Sequence, residues 1–284
     1  MDTLPVWPII AVASVAILAG LYARFVEPRW LRVRQLEVRI EKKRLTASLR
    51  VLHLSDFHWS RAVPLAFIEQ AVEQGLAEQP ELSCITGDFI TVGQQYDLER
   101  YVPLFEQLVR AAPCFAVLGN HDGGEWTEKH GGFANTAALE EHLSVCGVRV
   151  LNNESVTISV SNVSIVLVGT ADLWSGSLDV QRAFGGATDA TSTATLLLSH
   201  TPDAKESVAD HPWDLMLSGH THGGQLVIPL LGSSPWAPVK DKAFVSGLNS
   251  WNGRQIHTTP GIGNFGGIRF NCRPEVSVLN LRPQ

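Results

Sequence analysis

The 284-residue sequence is poor in charge: Asp, Glu, Lys and Arg make up 18% of it, against about 25% in a typical soluble domain. It has no excess of basic residues either, with 22 Lys+Arg against 28 Asp+Glu and a formal net charge of −6. General nucleic-acid binding needs a clustered basic surface that neutralises phosphates, so a nucleic-acid partner is not expected. Cysteine is scarce and scattered. Cys84, Cys114, Cys146 and Cys272 form no C-x-x-C pair, which argues against a zinc finger or a disulfide framework. Cys84 and Cys114 sit in apolar runs and read as buried free thiols, which mildly favours reduced surroundings. No internal repeat or low-complexity tract occurs, and the Gly/Thr/Ala stretch 185–195 reads as an exposed loop. Apolar residues, in contrast, reach 45%, which excludes a disordered chain. The length fits one domain of roughly 240 residues plus a short extra segment.

That segment is the amino terminus. From Thr3 to Ala23 no charged residue occurs, and 9–21 is almost continuously apolar. About 20 such residues, rising ~1.5 Å each, span a bilayer core of about 30 Å. Pro5 and Pro8 fall in the first turn or the interface, where proline is tolerated, and Trp7, Tyr22 and Trp30 suit interfacial positions. A cleaved signal peptide starts basic and ends in a small-x-small site. Here the start is Met1-Asp2, and the run is followed by Tyr22, Arg24, Phe25, Glu27, Arg29 and Trp30. An uncleaved single-pass anchor within residues 1–30 is therefore expected, with a catalytic domain over 31–284. Only Asp2 and the terminal amine precede the span, whereas Arg24, Arg29, Arg32 and Arg34 follow it. The positive-inside bias puts the long part of the chain in the cytoplasm, its arginines near anionic headgroups. The alternative, an amphipathic or core helix, meets a run with no polar face.

The remainder reads as one α/β domain. Strands are predicted at 36–40, 49–55, 82–86, 114–118, 148–151, 156–160, 164–168, 195–199, 215–218, 256–259 and 276–281. Helices are predicted at 64–77, with Leu65, Ile68, Val72 and Leu76 on one face, and at 101–109 and 136–146. The informative feature is what ends the strands: Asp56/His58, Asp88, Asn120/His121, His200 and His220/His222. Strand carboxy ends are where an α/β sheet presents chemistry. Any one of these histidines, taken alone, is more often structural; five clusters built only from Asp, Asn and His are hard to explain by chance. Asp56 and His58, like His220 and His222, are two apart and point the same way from an extended segment. Carboxylate, imidazole and amide oxygen without thiolate favour Mn, Fe or Zn over a zinc-thiolate site. Seven ligand candidates exceed the needs of one ion, but two ions sharing a carboxylate use them all. Two ions about 3.5–4 Å apart suit in-line displacement at phosphorus, so the residues favour a dinuclear phosphoester hydrolase.

Asp56-Phe57-His58, Gly87-Asp88, Gly119-Asn120-His121-Asp122, Ser199-His200 and Gly219-His220-Thr221-His222 resemble, in order and spacing, the five blocks of the calcineurin-like metallophosphoesterases. The extension through Gly223-Gly224-Gln225, and the tail from Gly261 through Arg269 to Pro274-Glu275, resemble its YkuE/YaeI-type branch of small, often membrane-associated bacterial phosphodiesterases. That branch includes a UDP-2,3-diacylglucosamine pyrophosphatase of lipid A synthesis. The resemblance implies a four-layer αββα sandwich, here behind one transmembrane helix, with metals at one edge. It implies one divalent ion held by Asp56, His58 and His222, another by Asn120, His200 and His220, and Asp88 bridging. Manganese is the first expectation, iron or zinc the alternatives, and a bridging hydroxide would attack phosphorus. His121 matches the family's non-ligand histidine, which stabilises the transition state or protonates the leaving oxygen; Asp122 is expected to orient it. Asn120 also faces substrate in this reading. Arg269 is expected to hold a phosphate through its forked donors, with pairing to Glu275 as the alternative.

Other positions carry weaker expectations. His53 reads as structural, and His130, His142, His211 and His257 as bystanders. Asp172 and Trp174 either line the cleft or turn a loop. The expected substrate is a lipid-linked phosphoester or pyrophosphate, such as UDP-2,3-diacylglucosamine, at the cytoplasmic face of a bacterial inner membrane. Trp126, Phe133, Trp174 and Trp236 are candidates for an acyl groove. The alternatives are a broad phosphodiesterase of small soluble esters and a catalytically silent, metal-holding interaction module. Oligomeric state is not readable from the sequence.

Overall fold

The computed structural model describes residues 7–92, 97–187, 190–229 and 234–284. Pro5, and Thr188 and Asp189 of the expected 185–195 loop, lie outside them. The amino-terminal run forms helix α1 (Trp7–Leu21), continued by a π turn (Tyr22–Val26) and a 3-10 turn (Glu27–Arg29). No residue of α1 is buried, and Ile9, Val12, Val15 and Leu18 are 65–71% exposed. A core helix would be covered, so the core-helix alternative falls. The continuous helical run Trp7–Arg29 is, by length and composition, long and apolar enough to cross a membrane.

The chain continues through β1 (Arg32–Ile40), β2 (Leu49–Leu54), α2 (Leu65–Ala77), β3 (Leu82–Thr86), α3 (Val102–Ala111), β4 (Cys114–Val117), α4 (Glu125–Lys129), α5 (Ala137–Val145) and β5 (Arg149–Val150). A hairpin of β6 (Glu154–Val160) and β7 (Val163–Gly169) follows, then α6 (Val180–Gly185), β8 (Ala194–Leu198), β9 (Leu215–Ser218), β10 (Gly247–Trp251), β11 (Arg254–Thr258) and β12 (Glu275–Pro283). The short helices α4 and α6 and the edge strand β10 are not among the sequence expectations. The helices are five and six residues long, too short to display a helical period.

Among the described residues the strands form two six-stranded sheets, ordered β1-β12-β2-β3-β4-β5 and β10-β11-β9-β8-β7-β6. In inner strands, alternate side chains enter different cores, as a period of two demands. Leu52 and Leu54 face a core roofed by Ile68 and Val72 of α2 and Phe105 and Leu108 of α3. Val51 turns instead to the core between the sheets, where it joins Leu196 and Leu198 of β8. Leu197 points out of that layer, toward Phe184 of α6 and Trp213. Helices, sheet, sheet and helices make the four-layer αββα sandwich. All four cysteines are buried and free.

Strands β2 to β5 run parallel, as do β7, β8, β9 and β11. Their carboxy ends therefore emerge together. The ladder persists beyond the strands: Asp56 N–H donates to Gly87 C=O at 2.9 Å, and His58 N–H to Asp88 C=O at 3.0 Å. The two sheets are joined here as well, since His200 Nδ1 bonds Thr86 C=O at 2.6 Å.

Candidate metal centre and its cleft

The loops that carry the candidate ligands are sharply bent. Asp56, His58, Asp88, His220 and His222 have φ of 52°, 45°, 56°, 66° and 51°, a region that costs a non-glycine residue on the order of 1–3 kcal/mol and gathers at functional sites. Glycine permits the close approach of these loops to one another. A Cβ on Gly119 would lie 2.2 Å from Asp88 Oδ1, and one on Gly219 would lie 2.2 Å from Asp56 Oδ2. Gly119 and Gly219 thus let backbone lie against a carboxylate, and Gly87 lets it lie against the backbone of Gly119.

These loops bring all seven predicted ligands together. Asp88 Oδ2 lies 3.2 Å from His58 Nε2 and 3.2 Å from His200 Nε2. On one side, Asp56 Oδ1 is 3.9 Å from His58 Nε2 and 3.6 Å from His222 Nε2. On the other, His220 Nδ1 is 2.8 Å from Asn120 Oδ1 and 3.3 Å from His200 Nε2. The two expected ligand sets meet at one carboxylate oxygen.

The donor set fits divalent cations. Asp56, His58, Asp88 and His200 are 0–1% exposed, and two carboxylates so deeply buried require compensating positive charge. His58 Nε2 is buried without a hydrogen-bond partner, and a ring nitrogen facing carboxylate oxygens in that state suits coordination. His200 Nδ1–H donates to Thr86 C=O, so Nε2 is the nitrogen turned to Asp88; against the cost of burial, the Asp88, Asp56 and Asp172 carboxylates raise this ring well above its ordinary value, a demand for positive charge that a bound cation would meet. Burial pushes His220 down to about 3 and His222 well below its ordinary value, so both rings are neutral, as metal ligation needs. Burial raises Asp56. Burial also disfavours ionisation of Asp88, but the facing His200 and His121 rings hold it well below the usual carboxylate range.

His121 stands at the rim of this group. Its ring meets Trp126 at 4.6 Å and His58 at 4.7 Å between centroids. Its backbone N–H donates to Asp88 Oδ1 at 2.9 Å, and Val92 N–H donates to its Nδ1 at 3.4 Å. An accepting Nδ1 places the proton on Nε2. Burial, outweighing the attraction of Asp88, pushes this histidine down to about 4.

Two sequence expectations need correction. Asp122 does not orient His121 through its carboxylate. That group accepts backbone N–H bonds from Asp88 and Gly119 on Oδ2 at 2.8 Å, and from Phe89 and Ile90 on Oδ1 at 2.8 and 3.3 Å. It clamps the two metal loops to each other. Arg269 does not reach a phosphate in the cleft. It is fully buried, its Nη1 donating to His222 C=O at 3.3 Å and Cys272 C=O at 3.2 Å, and its Nη2 to Pro260 C=O at 2.7 Å and Gly263 C=O. The alternative pairing also fails, because Glu275 is met by Arg32.

The cleft above the ligands has a volume of about 360 Å³, and Trp126, Trp174, Trp236, Leu226 and Phe265 form its apolar walls. Trp174 packs against His220 at 4.5 Å. Asp172 holds that loop from beneath: it accepts Trp174 N–H at 2.8 Å and Thr201 Oγ1–H at 2.6 Å. Phe133 is not among the cleft's lining residues. Sequence reading missed Leu226 and Phe265 as wall residues; neither belongs to a ligand block. His257, expected to be a bystander, is buried in a hydrogen bond with His53, Nδ1 to Nδ1 at 2.9 Å.

Residues 49–224 match the calcineurin-like phosphoesterase family. The chain is 39% identical to phosphodiesterase YaeI of Escherichia coli (strain K12), over 95% of both chains. It is 29% identical to the uncharacterized metallophosphoesterase YkuE of Bacillus subtilis (strain 168), over 96% of this chain and 94% of the relative. It is 25% identical to the UDP-2,3-diacylglucosamine pyrophosphatase LpxG of Chlamydia trachomatis, over 94% of both.

Proposed function

Because the chain belongs to the calcineurin-like phosphoesterase family and is a metal-dependent phosphohydrolase, we propose that it is a dinuclear enzyme that cleaves a lipid-linked phosphoester or pyrophosphate at a membrane. The observation that carries the dinuclear reading is Asp88 Oδ2, which lies 3.2 Å from both His58 Nε2 and His200 Nε2 and joins the two ligand sets. Asp56, His58 and His222 would hold one ion, and Asn120, His200 and His220 the other. Manganese is the first candidate, with iron and zinc as alternatives. When bound, such ions supply Lewis-acid stabilisation of phosphoryl oxygens and activate water for in-line attack.

The chain's own residues do the rest. With Nδ1 accepting from Val92, His121 presents Nε2–H as a donor to a phosphoryl or leaving-group oxygen. Asp122 keeps the Asp88 and Asn120 loops in register through four backbone N–H bonds. The aromatic walls exclude water and accept an apolar substrate portion. Residues 1–30 form the anchor and 31–284 the catalytic domain, which the flanking arginines orient toward the cytoplasm of a bacterial inner membrane.

Support for a lipid-linked substrate comes from the apolar walls, the exposed apolar helix and the likeness to LpxG, named a UDP-2,3-diacylglucosamine pyrophosphatase. A second reading, hydrolysis of small soluble diesters, is favoured by the modest cleft of about 360 Å³. Detergent-solubilised, manganese-loaded full-length protein would be offered UDP-2,3-diacylglucosamine beside bis-p-nitrophenyl phosphate, with His121→Ala as the blank. UMP release at far higher efficiency supports the lipid nucleotide. Turnover of the artificial diester alone removes it.

A further inference from the structure

We propose that the mouth of the metal cleft faces the bilayer itself: the loop 261–272, with Phe265 and Ile268 exposed, lies in the lipid headgroup layer, so that a lipid phosphate reaches the site without leaving the membrane. The proposal rests on the anchor reading of α1 and adds where the cleft stands relative to that anchor.

The end of the apolar helix is strapped to this loop. Arg269 N–H donates to Ala23 C=O at 2.9 Å, and Arg24 Nη1 donates to Gly267 C=O at 2.9 Å. The Tyr22 ring meets Phe270 edge-on at 6.4 Å. The Glu27 carboxylate accepts the N–H of Asn271 at 2.8 Å and that of Cys272. Arg24 is the first charge after the apolar run, and charge marks the level at which a spanning helix leaves the hydrocarbon. Backbone within hydrogen-bond distance of Ala23 and Arg24 shares that level whatever the tilt of the helix.

The same loop is a wall of the cleft. Phe265 is 59% exposed, yet its ring lies 6.0 Å from that of His121. It is fixed there by two bonds with Gln225, its N–H donating to Oε1 at 2.9 Å and its C=O accepting from Nε2 at 2.7 Å. Ile268, one residue from the Arg24 contact, is 39% exposed. Trp30, 52% exposed, carries the Arg273 guanidinium over its ring at 4.1 Å. Exposed apolar side chains interleaved with arginines suit an interface of acyl chains and anionic headgroups. The Phe265 ring thus stands both at that exposed surface and beside His121.

Full-length protein in phosphatidylcholine/phosphatidylglycerol vesicles tests this. I268C, V12C and N162C are each labelled with bimane, with unsubstituted protein as the labelling blank because its cysteines are buried. Asn162 lies on the β6–β7 turn, at the end of the second sheet opposite the metal loops. Nitroxide lipids labelled on the headgroup or on the chain serve as quenchers. The expected result is quenching at I268C by the headgroup label, quenching at V12C by the chain label, and none at N162C. Quenched V12C with unquenched I268C overturns the proposal and leaves the anchor intact. Unquenched V12C removes the anchor reading, and the proposal with it. Quenching at N162C equal to that at I268C also overturns it, because contact would then not be confined to the cleft's mouth.

Discussion

Asp122→Asn keeps the size of the side chain and turns one of its two accepting oxygens into a donor. Each oxygen serves two backbone N–H groups, Oδ2 those of Asp88 and Gly119, Oδ1 those of Phe89 and Ile90. Whichever way the amide settles, two N–H groups in a site 1% exposed face an NH₂. An unmet buried donor costs about 1–3 kcal/mol, so the loss is about 2–6 kcal/mol, a large share of the roughly 5–15 kcal/mol typical of a domain. At about 2–4 °C per kcal/mol for a chain of this size, Tm should fall by on the order of 10 °C. Because the released N–H groups belong to the Asp88 and Gly119 loops, metal affinity should fall too. Calorimetry with metal analysis of the purified variant checks both. A variant that melts within about 2 °C of the parent and keeps its metal, while losing turnover, would refute the clamp and return Asp122 to the role of orienting His121.

His121→Ala should retain metal and Tm but lose about 10²–10⁴-fold in turnover, whereas Asp88→Asn should lose metal and activity together; equal metal loss in both would contradict the assignment. Arg269→Lys should lower Tm through lost carbonyl bonds while leaving KM unchanged; a raised KM at parental Tm would restore a phosphate contact. The buried pair His53 and His257 predicts acid sensitivity. Burial pushes His257 down to about 3 and His53 well below its ordinary value. Below about pH 6.5 the unfolded chain binds protons that the folded pair refuses, so stability falls with falling pH, by about 2 kcal/mol per histidine at pH 5. Melting His257→Gln from pH 7.5 to 5 should give a shallower decline than the parent; an equal slope would exclude the pair as its source.

Most elements were legible because burial imposes its period on sequence. The run 49–55 alternates between two cores, and Leu65, Ile68 and Val72 are buried along α2. The candidate metal loops were legible because ligand chemistry restricts residue types and because Gly87, Gly119 and Gly219 stand immediately before three of the five blocks. Pairing was not. Strand β12 enters between β1 and β2, parallel to one and antiparallel to the other, and nothing local in Val276–Leu281 announces it. Arg269 misled for a physical reason: in a glycine-rich loop, a fork of donors serves backbone carbonyls as well as it serves a phosphate. Asp122 lies beside His121 in sequence, but its carboxylate turns to the neighbouring strand-end loop. The strap between Ala23, Arg24 and residues 267–269 joins positions more than 240 apart, a contact that no local pattern encodes.

The most direct test of the dinuclear site is a manganese titration of metal-stripped full-length protein. Bound ion and hydrolysis of bis-p-nitrophenyl phosphate would be followed together. Saturation at two ions per chain, with turnover appearing as the second binds and both sites weakened in Asp88→Asn, is the expected result. Saturation at a single ion with full turnover, or an unchanged isotherm in Asp88→Asn, would contradict a pair of ions joined through Asp88.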